Sequence, residues 1–276
     1  MSLRERLRAG KNFKLREEDA DDKPLREKSN GDAKSVIKEE ERSATAALTE
    51  QIAVLQEMLF AQRKHKVLLV LQGMDTSGKD GTVTSLFHGI NPMGLRAVAF
   101  KAPSPVELAH DFLWRVHTQV PGWGEITIFN RSHYEDVLIT SVQGMIDDEE
   151  CKRRYQHILN FERLLTETGT VVVKIFLHIS KDEQRERLQA RIDDPLKQWK
   201  FDPNDLVQRK KWDAYQEAYQ RTINATDTDK APWYVIPANS KTHRNLLISS
   251  LLLEILQDLD LAYPDPQADV GKIKVV

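Results

Sequence analysis

The chain is poor in cysteine: Cys151 is the single thiol among 276 residues. One thiol makes neither an internal disulfide nor a cysteine-based zinc site, which points to a reducing, cytoplasmic setting. The N-terminus, Met1-Ser2-Leu3-Arg4-Glu5-Arg6, carries no apolar stretch and so reads as no secretory signal. Long hydrophobic runs are missing as well. The longest, residues 67–71 and 171–179, are far too short to span a bilayer. Net charge is nearly absent, formally −2 with a pI near 6.5. That balance excludes a general nucleic-acid or membrane-surface binder but leaves room for local basic patches.

What remains is 40% hydrophobic and 30% charged, in a length that suits one large α/β domain with appendages and a substantial core. Residues 1–43 form a charged N-terminal arm, about half Lys, Arg, Asp or Glu. Two readings stay open for it: a solvated flexible arm, or an arm packed on its own domain or a neighbouring subunit through Leu3, Leu7, Phe13 and Leu15. Residues 44–262 carry the periodic pattern of a folded domain without internal repeats, and 263–276 form a C-terminal tail.

Within the domain, Leu48, Ile52, Leu55 and Leu59 mark one face of a helix from about Ser43 to Lys64. Strands are expected at residues 67–71, 96–100, 126–130, 171–179 and 233–236. Helices are expected at about 79–88, 105–118, 147–168, 181–193, 203–223 and 241–258. Short apolar strands alternating with helices predict a parallel sheet covered on both faces. Ser180-Lys181-Asp182-Glu183 reads as a capping box, and Asp202-Pro203 as an N-cap followed by proline at the first helical position. Trp212, Tyr215 and Tyr219 are spaced as a packing stripe.

The main motif is Gly73-Met74-Asp75-Thr76-Ser77-Gly78-Lys79-Asp80-Gly81, which fits G-x4-G-K between an expected buried strand and an expected helix. Such a loop curls so that its N–H groups face an anion, the helix dipole adds positive potential, and Lys79 supplies a mobile charge. The whole segment, Gly73 through Gly81, is therefore assigned to phosphate binding. The residue after the lysine is usually Ser or Thr, whose hydroxyl holds Mg²⁺; here it is Asp80, and Asp75 adds a second carboxylate. Acids beside bound phosphate need a cation between them. Mg²⁺, or Mn²⁺ in its place, is thus expected at Asp75, with Asp80 either sharing it or orienting the loop.

A second constellation, Asn130-Arg131-Ser132-His133-Tyr134-Glu135-Asp136, follows the expected strand at 126–130. Ligands of parallel sheets bind beyond the carboxyl ends of strands. Arg131 suits a phosphate clamp, and Glu135 and Asp136 suit metal binding or proton handling. Asn130 suits a weaker or water-mediated metal contact, and His133 and Tyr134 suit local packing. Lys152, Arg153 and Arg154 form a basic run in which Arg153 or Arg154 is a candidate phosphate contact.

The two motifs resemble those of the polyphosphate kinase 2 family. So do Phe100-Lys101-Ala102-Pro103, His110-Asp111-Phe112-Leu113-Trp114-Arg115, Leu177-His178-Ile179-Ser180-Lys181 and Trp199-Lys200-Phe201. The resemblance covers about residues 45–258. It implies an α/β, three-layer P-loop kinase fold of the thymidylate-kinase type, with a central parallel sheet and a helical lid over about 181–215. It also implies reversible, Mg²⁺-dependent transfer of a terminal phosphoryl group between inorganic polyphosphate and a nucleotide, by a homo-oligomer. The pair Asn130 and Glu135 is similar to the subgroup that accepts both nucleoside mono- and diphosphates; other subgroups usually carry Asp and Asn there. Lid arginines Arg187 and Arg191 are expected on the phosphates, Arg191 reaching in. The catalytic set is then Asp75, Lys79, Arg131, Glu135, Asp136 and Arg191, and the metal set Asp75, Asn130, Glu135 and Asp136. Two rivals are an ATP-dependent nucleoside monophosphate kinase on the same fold and a non-catalytic polyphosphate-binding module.

Overall fold

Aliphatic strands buried on both faces need helices on either side to complete their burial. The computed structural model, which describes residues 2–26, 33–266, 268, 270–273 and 275, has this layering. Residues 1 and 27–32 of the expected arm, and 267, 269, 274 and 276 of the expected tail, lie outside the described residues. In chain order the elements are α1 (Leu3–Leu7), α2 (Lys34–Gln62), β1 (Lys66–Gln72), α3 (Lys79–Phe87), β2 (Leu95–Ala99), α4 (Pro105–Leu108), α5 (Trp114–His117), β3 (Ile126–Asn130), α6 (Ile139–Val142) and α7 (Asp148–Glu167). They continue with β4 (Thr170–His178), α8 (Lys181–Asp193), α9 (Pro203–Lys210), α10 (Trp212–Thr226), β5 (Trp233–Pro237) and α11 (Lys241–Gln257). No helix among the described residues is long and apolar enough to cross a membrane.

All five strands are parallel, in the order β2-β3-β1-β4-β5. β1 is the middle strand, and its Leu71 lies beside Asn130 of β3 and Ile175 of β4. The carboxyl ends of β1 and β3 therefore finish level, and the segments that follow them emerge side by side. Each expected strand is present within two residues of its expected ends.

The helices differ in instructive ways. α2 begins at Lys34, well before the apolar stripe that starts near Leu48. Its first two turns, residues 34–40, are largely exposed, and from Glu41 on it is buried through polar side chains, Glu41, Thr45 and Thr49, which apolar periodicity does not register. Glu41 accepts hydrogen bonds from Arg26 and from His243 Nδ1 (2.7 Å), so this end of α2 is clasped to α11 by polar contacts. The helix expected over 105–118 is two short ones, because Asp111 accepts from Leu113 N–H (2.9 Å) and turns the chain between them. The helix expected over 203–223 breaks at Lys211 into α9 and α10. Trp212, Tyr215 and Tyr219 are buried in the core, as their spacing predicts.

The N-terminal segment packs on its own sheet. Leu3 and Leu7 of α1 are buried in the core, Ala9 N–H donates to Trp233 O (2.9 Å), and Arg8 bridges Tyr234. These contacts cover β5, an edge strand whose free carbonyls would otherwise face solvent. Phe13 and Leu15 pack partly buried against the same core.

One ionic cluster is sealed inside. Glu162 of α7 accepts from Lys174 Nζ of β4 (2.6 Å) and from the Tyr134 hydroxyl (2.6 Å), and Lys174 also donates to Thr226 O (2.7 Å). Burial alone would raise the Glu162 carboxyl; the Lys174 ammonium, helped by His133, holds it below its ordinary value. The cluster anchors the turn that follows β3, because Tyr134 sits in that turn.

Two stability predictions follow from these contacts. Leu7→Ala should cost about 2–4 kcal/mol in urea denaturation; a loss under about 0.5 kcal/mol would mean that α1 is not docked in solution. Glu162→Ala, which leaves Lys174 buried without its counter-ion, should cost about 3–5 kcal/mol by the same measurement. Near-neutral behaviour would show that the ammonium finds water.

Candidate active site

Leaving β1, the chain makes a tight loop over residues 73–78 and enters α3 at Lys79. Gly73 has φ +151°, and a Cβ there would lie 2.7 Å from the main-chain oxygen of Leu177 in β4. Only glycine lets β1 run this close to its neighbour at the turn. Gly78, at φ +102°, opens α3. Thr76 holds φ +65° without being glycine, a strain on the order of 1–3 kcal/mol that the surroundings must sustain.

The surroundings do so through the loop's carbonyls. Gln184 Nε2 donates to Asp75 O (3.1 Å), and Arg187 Nη1 donates to Thr76 O (2.9 Å) and Ser77 O (3.0 Å). Arg244 Nη1 reaches Ser77 O at 3.3 Å. Lys79 Nζ is folded against the loop, on Gly73 O (2.7 Å) and Met74 O (3.2 Å). Burial pulls the Lys79 ammonium below its ordinary value, while Asp75, Glu135 and Asp80 pull the other way. The Thr76 and Ser77 hydroxyls are buried with no partner among the described residues.

The turn after β3 faces this loop. Arg131 carries φ +62°, again strained for a residue with a side chain, and donates through Nη2 to Asp75 Oδ1 at 2.6 Å. Asn130 Nδ2 donates to Asp80 Oδ1 at 2.6 Å. With its amide nitrogen turned to Glu135, Gln72 donates to Oε1 at 3.0 Å and accepts from Ser132. Desolvation raises the Glu135 carboxyl above its ordinary value, against the pull of Arg131 and Lys79. Asp75, Lys79, Asp80, Asn130, Arg131 and Glu135 thus converge where β1 and β3 end. That is the position at which a parallel sheet takes its ligand.

Asp136, although adjacent to Glu135, points elsewhere. Its carboxylate lies 3.8 Å from Arg115, and its main-chain oxygen accepts from Arg154 (3.0 Å). Burial pushes its carboxyl up to about 6, against the opposing charge of Arg115. Consecutive residues of a 3-10 turn face different directions, so Glu135 joins the loop and Asp136 joins the arginine pair. Arg154 and Arg153 are both paired with Glu150 on α7, and Arg153 is largely exposed.

The arginines expected on the lid also separate. Arg187 is buried, and its guanidinium is committed to Glu183 and to the carbonyls of Thr76, Ser77, Ala238 and Asn239, outside the loop's hollow. Arg191 is partly exposed and links α8 to the next segment through Lys200 O (3.1 Å) and Asp205 (3.5 Å). Gln72, Gln184 and Arg244 were not singled out by the sequence motifs, and Arg115 entered only as the last residue of the motif at 110–115. A signal for Arg244 does exist: Lys241, His243 and Arg244 crowd the first turn of α11, which has no acidic residue, against the helix dipole.

The family model for polyphosphate kinase 2 matches residues 35–263. An AMP/ADP-polyphosphate phosphotransferase from Meiothermus ruber is 53% identical over 232 residues, 84% of this chain and 87% of that protein. An ADP-polyphosphate phosphotransferase from Rhodopseudomonas palustris is 43% identical over 228 residues, covering 78% of this chain and 79% of the relative. The crystal structure of polyphosphate kinase 2 from Arthrobacter aurescens TC1 superimposes with a TM-score of 0.92 at 43% identity, over 99% of this chain and 95% of that one. Matching motifs, a matching sheet and loop, and similarity along most of the length of these relatives place the chain in one family: it belongs to the polyphosphate kinase 2 family.

Proposed function

We propose that this protein moves a terminal phosphoryl group reversibly between inorganic polyphosphate and adenine nucleotides, converting AMP to ADP and ADP to ATP. The observation that carries the reading is the hollow of the phosphate loop. Lys79, the Thr76 and Ser77 hydroxyls, which have no partner among the described residues, and the Arg131 guanidinium surround it, and carboxylates stand at its rim. The names of the relatives from M. ruber and R. palustris agree with it. The Asn130 and Glu135 pair supports acceptance of both nucleoside mono- and diphosphates.

The chemistry asks for little covalent help. The acceptor is a phosphate oxygen that is already anionic near neutral pH, so no hydroxyl proton has to be removed. Its oxygen forms a bond to the terminal phosphorus as the P–O bond to the next phosphate breaks, and the shortened chain leaves with that electron pair. Loop N–H groups, Lys79 and Arg131 hold the transferring group in line and stabilise its oxygens. Releasing Arg131 from Asp75 to a phosphate costs one ion pair and gains another.

The donor set fits a hard divalent cation. Among the described residues no three His, Cys, Asp or Glu side chains form a ready-made metal cluster. Mg²⁺ commonly takes one or two carboxylates and completes its shell with water and substrate phosphates. Asp75 and Glu135 would hold Mg²⁺, or Mn²⁺ in its place, with Asn130 beside them. When bound, the ion neutralises phosphate charge that the carboxylates would otherwise repel. Asp136, engaged with Arg115, serves the shape of the turn in this reading.

Residues 181–215 act as the lid. Arg187 is tied to the loop, so Arg191 is the lid arginine able to exchange its 3.5 Å contact with Asp205 for a phosphate. Burial, with added repulsion from Asp75, pushes Asp205 up to about 6, against the pull of Arg191. Closure over the phosphates would exclude water and favour transfer over hydrolysis. Arg153, exposed on α7, is a contact for the polyphosphate chain beyond the site.

Purified protein incubated with Mg²⁺, ADP and polyphosphate should make ATP, and AMP in place of ADP should yield ADP first. No ATP from folded protein, or turnover only with ATP as donor to AMP, would overturn the donor assignment. Lys79→Ala should lower kcat by at least about a hundredfold with an unchanged circular dichroism spectrum. The raised Asp205 carboxyl carries its own sign: the folded state prefers the protonated form, so its contribution to stability is full below about pH 4 and is lost as pH rises through about 6. Asp205→Asn should therefore be about 1 kcal/mol more stable than wild type near pH 7.5 and equal to it near pH 4, read from denaturation at the two pH values. A gain that is the same at both would place the effect elsewhere.

A further inference from the structure

Arg244 has an unusual setting for a guanidinium. It rises from the first turn of α11 and is 3% exposed. Its acceptors are the amide oxygen of the adjacent Asn245, at 3.0 Å from Nε and 2.7 Å from Nη2, and Ser77 O of the phosphate loop, at 3.3 Å from Nη1. Among the described residues no carboxylate pairs with it. The charged group it does face is Arg187, and burial together with that like charge pulls its guanidinium down to about 9. The helix it stands on presents the positive end of its dipole at the same place. A buried cation surrounded by positive potential is destabilising unless a nearby anion balances it.

The balancing position is on the other side of one peptide. The bond between Ser77 and Gly78 is trans, so the Ser77 carbonyl and the Gly78 N–H point in opposite directions. Arg187 and Arg244 both hold that carbonyl, at 3.0 and 3.3 Å, on the side of α8 and α11. The Gly78 N–H is thereby turned away from the two arginines, toward the hollow of the loop. Gly78 also makes the approach possible: a Cβ there would lie 1.8 Å from Arg244 Nη1. The glycine of the phosphate motif and the arginine of α11 are a matched pair, about 166 residues apart in the chain.

We propose that Arg244 is a positioning residue for phosphoryl transfer, which holds the Gly78 N–H toward bound phosphate and places an uncompensated charge directly behind the loop for that phosphate to balance. The proposal rests on the loop being the phosphate site. It acts through the peptide and through the field, without touching substrate. Phosphate binding and the order of the loop are consequently linked, since each bound anion relieves the repulsion between Arg187 and Arg244.

The test uses inorganic tripolyphosphate as probe, with thermal unfolding of the full chain as readout. Arg244→Met preserves length and removes the charge. Its Tm without ligand should equal or exceed that of wild type, while the tripolyphosphate concentration giving half of the stabilising shift rises at least about tenfold and the KM for polyphosphate rises with it. A residue that only packed the core would lower the ligand-free Tm and leave the concentration dependence alone. An undiminished tripolyphosphate response in Arg244→Met overturns the assignment. Should that variant fail to fold, Arg244→Lys keeps the charge but not the planar fork; weakened tripolyphosphate binding supports the assignment, and wild-type binding overturns it. A wild-type protein that shows no shift with tripolyphosphate and no turnover overturns the phosphate-site reading, and this assignment falls with it.

Discussion

Everything at this site depends on β1 being the middle strand of a parallel sheet. The loop that leaves it has β3 on one side and β4 on the other, in register at Asn130 and Ile175. From the β3 side come Asn130 and Arg131, which engage Asp80 and Asp75. From the β4 side come Gln184 and Arg187, which hold the loop's carbonyls. An edge strand would have supplied one of these walls and not the other. A loop with its carbonyls held outward turns N–H groups inward, which is the condition for an anion site.

The charges follow from the same arrangement. Lys79, Arg131 and the pair behind the loop outnumber what a neutral ligand would need, and the carboxylates at the rim prevent the site from being a simple phosphate trap. Arg131 is held by Asp75 and Arg191 by Asp205, so neither cation is left unbalanced. In the proposed reaction an anionic substrate and its metal would replace these internal partners. Arg131 and Arg191 thus sit in exchangeable ion pairs, unlike Arg244, which has no carboxylate partner among the described residues.

Much of this was legible in the residues. The five strands, the loop and the helices at 148–167, 181–193 and 241–257 follow from apolar runs, glycines and caps, which are local signals. The convergence of Asn130, Arg131 and Glu135 on the loop followed from the rule for strand ends. Other features were hidden because their causes are distant. α2 is buried toward its N-terminus through Glu41, Thr45 and Thr49, whose partners lie partly on α11. Lys211 divides a stretch that periodicity reads as continuous. Glu135 and Asp136 look equivalent in sequence, yet Arg115 draws one away.

The phosphate loop is the clearest case of the division. Its sequence alone determined that the loop reads as an anion site, that glycine was needed at its turns, and that the usual hydroxyl after the lysine was replaced by Asp80, because these follow from residue type and short-range geometry. Its tertiary surroundings decided which arginine does what. Arg187, Arg191 and Arg244 are the same residue to a sequence pattern. One braces the carbonyls, one links α8 to α9, and one stands buried behind Gly78 with no carboxylate partner among the described residues. The difference is set by what each guanidinium meets across the fold, and a partner such as Ser77, 167 residues from Arg244, is fixed by packing and not by spacing along the chain.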